Sequence, residues 1–164
     1  MPIIQCGQFD VARKREMSPA TVRTSGVLEV TVTIRADQFN TLLMAHEVNF
    51  KRRISTHLRM NTSTVFGRMS ENDVARFVDA GVQTARAHGF RWESSIATFV
   101  YLMALVSPRF HESLEIANGL RDRRHSGEYA LRFIVDELPE NAWDAAAASD
   151  VPAAIRAFLD DLEK

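Results

Sequence analysis

The sequence holds a single cysteine, Cys6, in 164 residues. One thiol cannot close an internal disulfide, and a cysteine-based zinc site needs several. A disulfide framework is thereby excluded, and the chain suits a reducing cytoplasm. Cys6 has no fixed histidine beside it, so a thiol nucleophile is not indicated. Long apolar runs are also lacking. The longest, "FVYLMALV", covers Phe99–Val106, is extended by Ile96 and Ala97, and is closed by Pro108. It is about half of the roughly 20 residues a membrane span needs, and Glu93 and Arg109 flank it closely. A helix apolar nearly all round belongs instead at the centre of a bundle. "MPIIQC" is too short for a signal-peptide core, and basic residues follow it. The expectation is a cytoplasmic protein without a secretory signal or membrane span.

An excess of one charge is missing as well. The net charge is −1, so the overall field draws neither nucleic acid nor an anionic membrane. No phosphate-binding glycine loop occurs, because "GVQTARAHG" lacks the Lys-Ser/Thr ending, and no G-x-S-x-G elbow is present. Charge is nevertheless distributed unevenly. Residues 133–164 carry eight acids against Arg156 and Lys164, a net −6, which leaves +5 on the remainder. A basic body with an acidic end suits either an internally neutralised surface or a docking polarity.

The residues present describe a helical domain. A composition of 46% hydrophobic and 25% charged residues is that of an ordinary globular chain long enough for one real core. Residues 1–29 mix Gly, Pro, Ser, Thr and charge without a sustained period and are expected to form a flexible arm. Residues 30–164 are expected to form a single helical domain. "VLEVTVTI", Val27–Ile34, alternates and is rich in β-branched residues. With no evident partner strand, it reads as an extended lead-in or one short strand.

From Asp37 onward the helical period dominates. Asp37 is a fit N-cap for a long helix whose inward stripe is Phe39, Leu43, His46, Phe50, Ile54 and Leu58. "NTSTVFGRM" reads as a loop. Ser70, with Asp73 three residues on, approximates a capping box for a helix buried through Val74, Phe77, Val78, Gly81, Val82 and Ala85. Gly89 is placed to stop that helix, and Gly81 either lets a neighbour approach closely or is merely tolerated at a cost of about 1 kcal/mol relative to Ala. The Trp92–Val106 helix is expected to lie between this helix and the long one. Further helices are expected from Pro108, with Phe110, Leu114 and Ala117 inward and Gly119 ending it, then over 128–138 and 140–149. The last is expected from a cap at Asp150 or Val151, with Pro152 near its first position. The fold class is all-α: a compact bundle of six or seven helices with an extended N-terminal arm.

Most candidate chemistry fails on spacing. "HEVNF" begins like a zinc-protease motif, but Phe50 stands where the second histidine is needed, and His46 reads better as a hydrogen-bonded core residue. His111 and Glu115 lie four apart and could share a metal, yet two ligands are not a site, and His57 or His88 would have to supply the third. Asp136/Glu137 and Asp160/Asp161 are adjacent pairs whose side chains diverge on a helix, so neither is an acid–base dyad. No catalytic residue, metal or cofactor is expected. The basic stretch "RDRRH", with Arg121, Arg123 and Arg124, and a second one at Lys51–Arg53 are of a kind that recognises phosphate or carboxylate. A solvated loop and a docking patch for an acidic protein both suit "RDRRH". The balanced total charge and the lack of a reading element argue against nucleic acid.

Four stretches carry a resemblance: "IRADQFNTLL", "FKRRISTHLR", "ENDVARFVDAGVQTARAHGFRWESSIATFVYLMALVSPRF" and "ELPENAWDAA". Across roughly residues 34–145 the chain resembles a group of small helical proteins encoded beside toxin and spike genes of type VI secretion clusters in Proteobacteria. Ser107 and His111 depart from the group's pattern, which has Gly and Asp there, so no role is assigned to an acid in that loop. The resemblance implies a non-enzymatic accessory protein, an adaptor or chaperone binding a toxin or spike partner. The alternative is an immunity protein that neutralises a toxin through its acidic surface. The expected partner-binding residues are Arg121, Arg123 and Arg124 on the basic loop and Asp136, Glu137, Glu140, Asp160 and Asp161 on the acidic part.

Overall fold

The computed structural model describes residues 20–22, 30–32, 35–122 and 127–164. The architecture is all-α, with eight α-helices among the described residues. They are α1 (Ala36–Asn61), α2 (Ser63–Phe66), α3 (Glu71–Ala87), α4 (Glu93–Leu105), α5 (Leu114–Arg121), α6 (Glu128–Glu137), α7 (Glu140–Ala146) and α8 (Val151–Asp161). The count exceeds the expected range by the single turn α2, which forms inside the predicted loop. Two three-residue strands, β1 (Ala20–Val22) and β2 (Val30–Val32), pair antiparallel with Thr21 opposite Thr31. The lead-in therefore has a partner after all, within the arm. Three residues are too few for alternation to reveal it.

Two compact units divide the chain, residues 1–44 and residues 45–164. The core lies in the second. Its fully buried side chains include Leu58 of α1, Phe66 of α2, Phe77 of α3, Phe99 and Met103 of α4, Ile134 of α6 and Ile155 of α8. α4 sits among α3, α6 and α8. "FVYLMALV" is therefore core helix, as its apolar circumference predicts, although Leu105 at its end is exposed. The most extensive pairing is α3 on α4. A Cβ at Gly81 would lie 3.0 Å from Val100 Cγ2 and 3.2 Å from Met103 Sδ. The bare backbone at Gly81 therefore sets how near α4 comes.

Local signals fix the ends of α3 and α8. Ser70 Oγ accepts from the Asp73 N–H at 3.1 Å and donates to Asp73 Oδ2 at 2.7 Å, so Asp73 holds the capping hydroxyl where the Glu of a capping box would hold the Ser70 N–H. At the other end Gly89 takes φ +90°. Its N–H donates to Arg86 O, and the Phe90 N–H donates to Ala85 O. This is a Schellman closure, with Phe90 buried beyond it. Asp150 accepts from the Ala153 N–H at 3.0 Å to cap α8.

Three expectations on helix placement need correction. α1 starts at Ala36, so Asp37 lies in its first turn and is not its N-cap. The Gln38 side chain reaches back instead to accept from the Arg35 N–H at 3.0 Å. The helix expected from Pro108 is split: a 3₁₀ turn over Phe110–Glu112 precedes α5. The break keeps Phe110 buried but rotates Leu114 outward, to 76% exposure. Gly119 does not end that helix. It lies inside α5 and is buried, because a Cβ there would meet Ile134 Cγ2 at 2.6 Å.

Candidate functional site

The inward stripe predicted for α1 is only half covered. Phe50, Ile54 and Leu58 are buried. Two to three turns before Phe50, Phe39 is 44% exposed and Leu43 52%, and Leu42 beside the stripe is 59% exposed. These three fall at i, i+3 and i+4 and so share one helical face. Met44 (72% exposed) and Val48 (64%) are also open on α1, four residues apart on another side of the helix, whereas Trp92, Leu114 and Tyr129 lie singly elsewhere in the sequence. Exposed apolar residues that are isolated need no explanation, whereas a contiguous patch marks an interaction surface.

A second feature lies between α1 and α4. A cleft of about 290 Å³ is lined by Phe50, Arg53, Ile54 and His57 from α1 and by Glu93, Ser94, Ala97 and Tyr101 from α4. Its α1 wall repeats at three- and four-residue steps, and Glu93, Ala97 and Tyr101 recur every four along α4, so each helix turns one continuous face to it. The small Ser94 and Ala97 leave the space unfilled. Polar groups stand at both ends. Arg53 Nη2 donates to Glu93 Oε2 at 2.6 Å, and its guanidinium carbon is 6.0 Å from the Phe50 ring centroid. Tyr101 Oη lies 2.6 Å from His57 Nδ1 and accepts from Asn61 Nδ2 at 3.4 Å. Glu93 Oε1 is shielded from solvent without a hydrogen bond among the described residues. His46 Nε2, 3.5 Å away, forms an ion pair with it only when protonated.

This arrangement corrects the reading of His46. Its side chain is 69% exposed and faces Glu93, so it is no core histidine. The apolar stripe misled here, because the bundle begins one turn later, at Phe50. No group of three or more metal-ligating side chains occurs among the described residues. His111 does approach another histidine, His88, with ring centroids 5.4 Å apart, and both rings pack on Phe99. Burial pushes the His88 imidazole below its ordinary value, helped by the Arg121 charge. Burial also lowers His111, with the His88 and Arg109 charges in support and Glu112 opposing.

The expected partner-binding residues are dispersed. Arg121 ends α5 and is exposed, while Arg123 and Arg124, like Cys6, lie outside the described residues. Asp136 and Glu137 close α6, and Glu140 opens α7. Asp136 accepts from Arg132 Nε at 3.2 Å. Asp160 and Asp161 close α8. Asp161 is held by Arg109 at 2.7 Å and Lys164 at 2.8 Å, and Lys164 beside it lowers its carboxyl. Glu163 pairs with Arg76 at 2.8 Å. The acid at the end of α8 is thus largely matched by the basic body. The Lys51–Arg53 stretch is similarly engaged. Lys51 bridges Glu47 at 3.4 Å and Asp79 at 3.0 Å, while Arg86 grips Glu47 with two bonds at 3.0 and 2.7 Å. The Arg86 bonds lower Glu47 against the opposing effect of burial.

One polar device went unread in the sequence. Glu128, opening α6, accepts through one oxygen from both the Arg91 and Trp92 N–H groups at 2.8 Å. It closes the amino end of α4 from another helix, where Trp92 offers no side-chain cap. Burial acts to raise this carboxyl, but the Ser95 hydroxyl and the two N–H groups together bring it below its ordinary value. A capping residue 36 positions away leaves no local pattern to find. Among the described residues no helix is long and apolar enough to cross a membrane. No protein-family model, curated protein or solved structure matches the chain.

Proposed function

We propose that this is a non-enzymatic accessory protein that binds a protein partner as an adaptor or chaperone, the role its resemblance to type VI secretion accessory proteins implies. The observation that supports the reading is the exposed face formed by Phe39, Leu42 and Leu43 on α1. An escort holds its cargo without chemistry, through apolar surface that stays open until the cargo arrives. Burying a large aliphatic or aromatic side chain contributes roughly 1.5–3 kcal/mol, so three on one face supply a useful anchor. The immunity reading retains one point in its favour. Glu137, Glu140 and Asp144 are exposed near the α6–α7 junction, and a charge-driven plug would bind there in a salt-sensitive way.

The test is co-purification with the toxin and the spike protein encoded beside the gene, with toxin activity assayed in the same preparation. The adaptor reading expects a complex with both, an active toxin, and loss of binding in a Leu42→Ser, Leu43→Ser double variant with unchanged melting. Binding to the toxin alone, with its activity abolished and with sensitivity to Glu137→Lys and Glu140→Lys, would replace it with the immunity reading.

A further inference from the structure

We infer that the α1/α4 cleft is a binding site for a small amphiphilic carboxylate, an aromatic or branched-chain acid. This stands apart from the escort reading, since it uses neither Phe39 nor Leu43. The floor is apolar, formed by Phe50, Ile54 and Ala97, and the two donors at its rim come from one helix face, Arg53 and His57 at i and i+4. Glu93 fixes Arg53 through Nη2 alone. The guanidinium keeps further N–H groups for a ligand, held in place over the Phe50 ring.

His57 is oriented in a similar way. Asn61 donates to Tyr101 Oη, and the phenol lies 2.6 Å from His57 Nδ1, placed to give that nitrogen its proton. A neutral imidazole then carries its hydrogen on Nε2, as a donor. A second hollow on the other side of the same two residues is lined by Arg52, Thr56 and Met60. Arg53 and Glu93 offset each other in the lining, and Arg52 in the neighbouring hollow adds one formal positive charge close by, which favours a monoanion. Glu93 Oε1, shielded and without a hydrogen bond, remains as an acceptor for a hydroxyl or N–H elsewhere on the ligand. The volume of about 290 Å³ falls at the small end of ligand sites, near 300 Å³, and suits one ring with a short chain.

The experiment titrates the full chain with 3-phenylpropionate and, separately, with its neutral amide, following amide and methyl NMR signals. The acid should shift Ile54 and Ala97 and bind at least about tenfold more tightly than the amide, the margin of a charge-assisted pair. Arg53→Gln and His57→Gln should each remove most of that preference, and both sites are exposed enough to leave folding intact. Tyr101→Phe should weaken the acid several-fold and the amide less, because it frees the imidazole that both would meet. Ala97→Phe should fill the cleft and abolish both. Equal affinity for acid and amide, a preference that survives Arg53→Gln, or no response of Ile54 and Ala97 at millimolar acid would each overturn the assignment.

Discussion

The two halves of α1 share one hydrophobic stripe and meet different fates. Toward the carboxyl end, Phe50, Ile54 and Leu58 are at most 4% exposed; toward the amino end, Phe39, Leu42 and Leu43 are at least 44% exposed. Nothing in their periodicity distinguishes them. A run of apolar residues at three- and four-residue steps reports which face of a helix avoids water, but not what covers it. In the second half other helices of the bundle cover it. The first half supplies the same kind of surface in the open, and the proposed escort function rests on that difference.

The sharpest way to break the comparison is to put a charge where the bundle is driest. Met103 is fully buried in α4, and Met103→Asp buries a carboxylate without a partner, which should unfold the domain. A cooperative melt near the wild-type temperature would remove α4 from the core. Next in size is the paired truncation on α1 itself. Leu58→Ala should cost about 2–5 kcal/mol by opening a cavity, whereas Leu43→Ala should fall within about 0.5 kcal/mol, as exposed changes do. Chemical denaturation of the two variants in parallel checks both. Equal losses would mean that the exposed half is covered in solution.

Much of the fold was legible because local chemistry and period agreed. Ser70, Gly89 and Asp150 announce helix ends that the backbone then adopts. The stripe of α3 from Val74 to Ala85 is buried residue for residue. The apolar circumference of "FVYLMALV" also placed α4 in the core. What failed depended on neighbours. Leu114 turns outward because a 3₁₀ turn interrupts the helical phase. Gly119 looked like a stop signal and is instead a contact with Ile134. The candidate site was less legible. The cleft exists because Ser94 and Ala97 of one helix face Phe50 and Ile54 of another, and no single-helix pattern contains that pairing. His46 showed a periodic position and no environment.

Glycine at close contacts gives a prediction of intermediate size. A methyl group at Gly119 would overlap Ile134 Cγ2 at 2.6 Å, while one at Gly81 meets Val100 Cγ2 at 3.0 Å and the adaptable Met103 Sδ at 3.2 Å. Overpacking costs about 1–3 kcal/mol, and alanine returns about 1 kcal/mol of helix propensity at either site. Gly119→Ala should therefore destabilise clearly, and Gly81→Ala should come out near neutral. Thermal melts of the two variants decide it, and the reverse order would mean that α5 and α6 can part more easily than α3 and α4.

The smallest effect extends the comparison to histidines. His46, beside the open half of α1, is 69% exposed, whereas the His111 side chain is 13% exposed. Burial lowers the pKa of His111 and of its neighbour His88 below the ordinary 6.5. Above about pH 6.5 neither the folded nor the unfolded chain protonates these rings, so they contribute no pH dependence. As pH falls through that value, the unfolded chain takes up protons that the folded chain declines. Stability must then fall with pH until the lowered folded values are reached. Groups facing the pair shape the window: Arg121 and Arg109 deepen the depression, and Glu112 opposes it at His111. Melting temperature should drop as pH falls through about 6.5, where the rings of the unfolded chain take up protons. His88→Phe combined with His111→Phe should flatten that slope. A slope unchanged in the double variant would assign the acid sensitivity to other groups and leave the buried pair as packing alone.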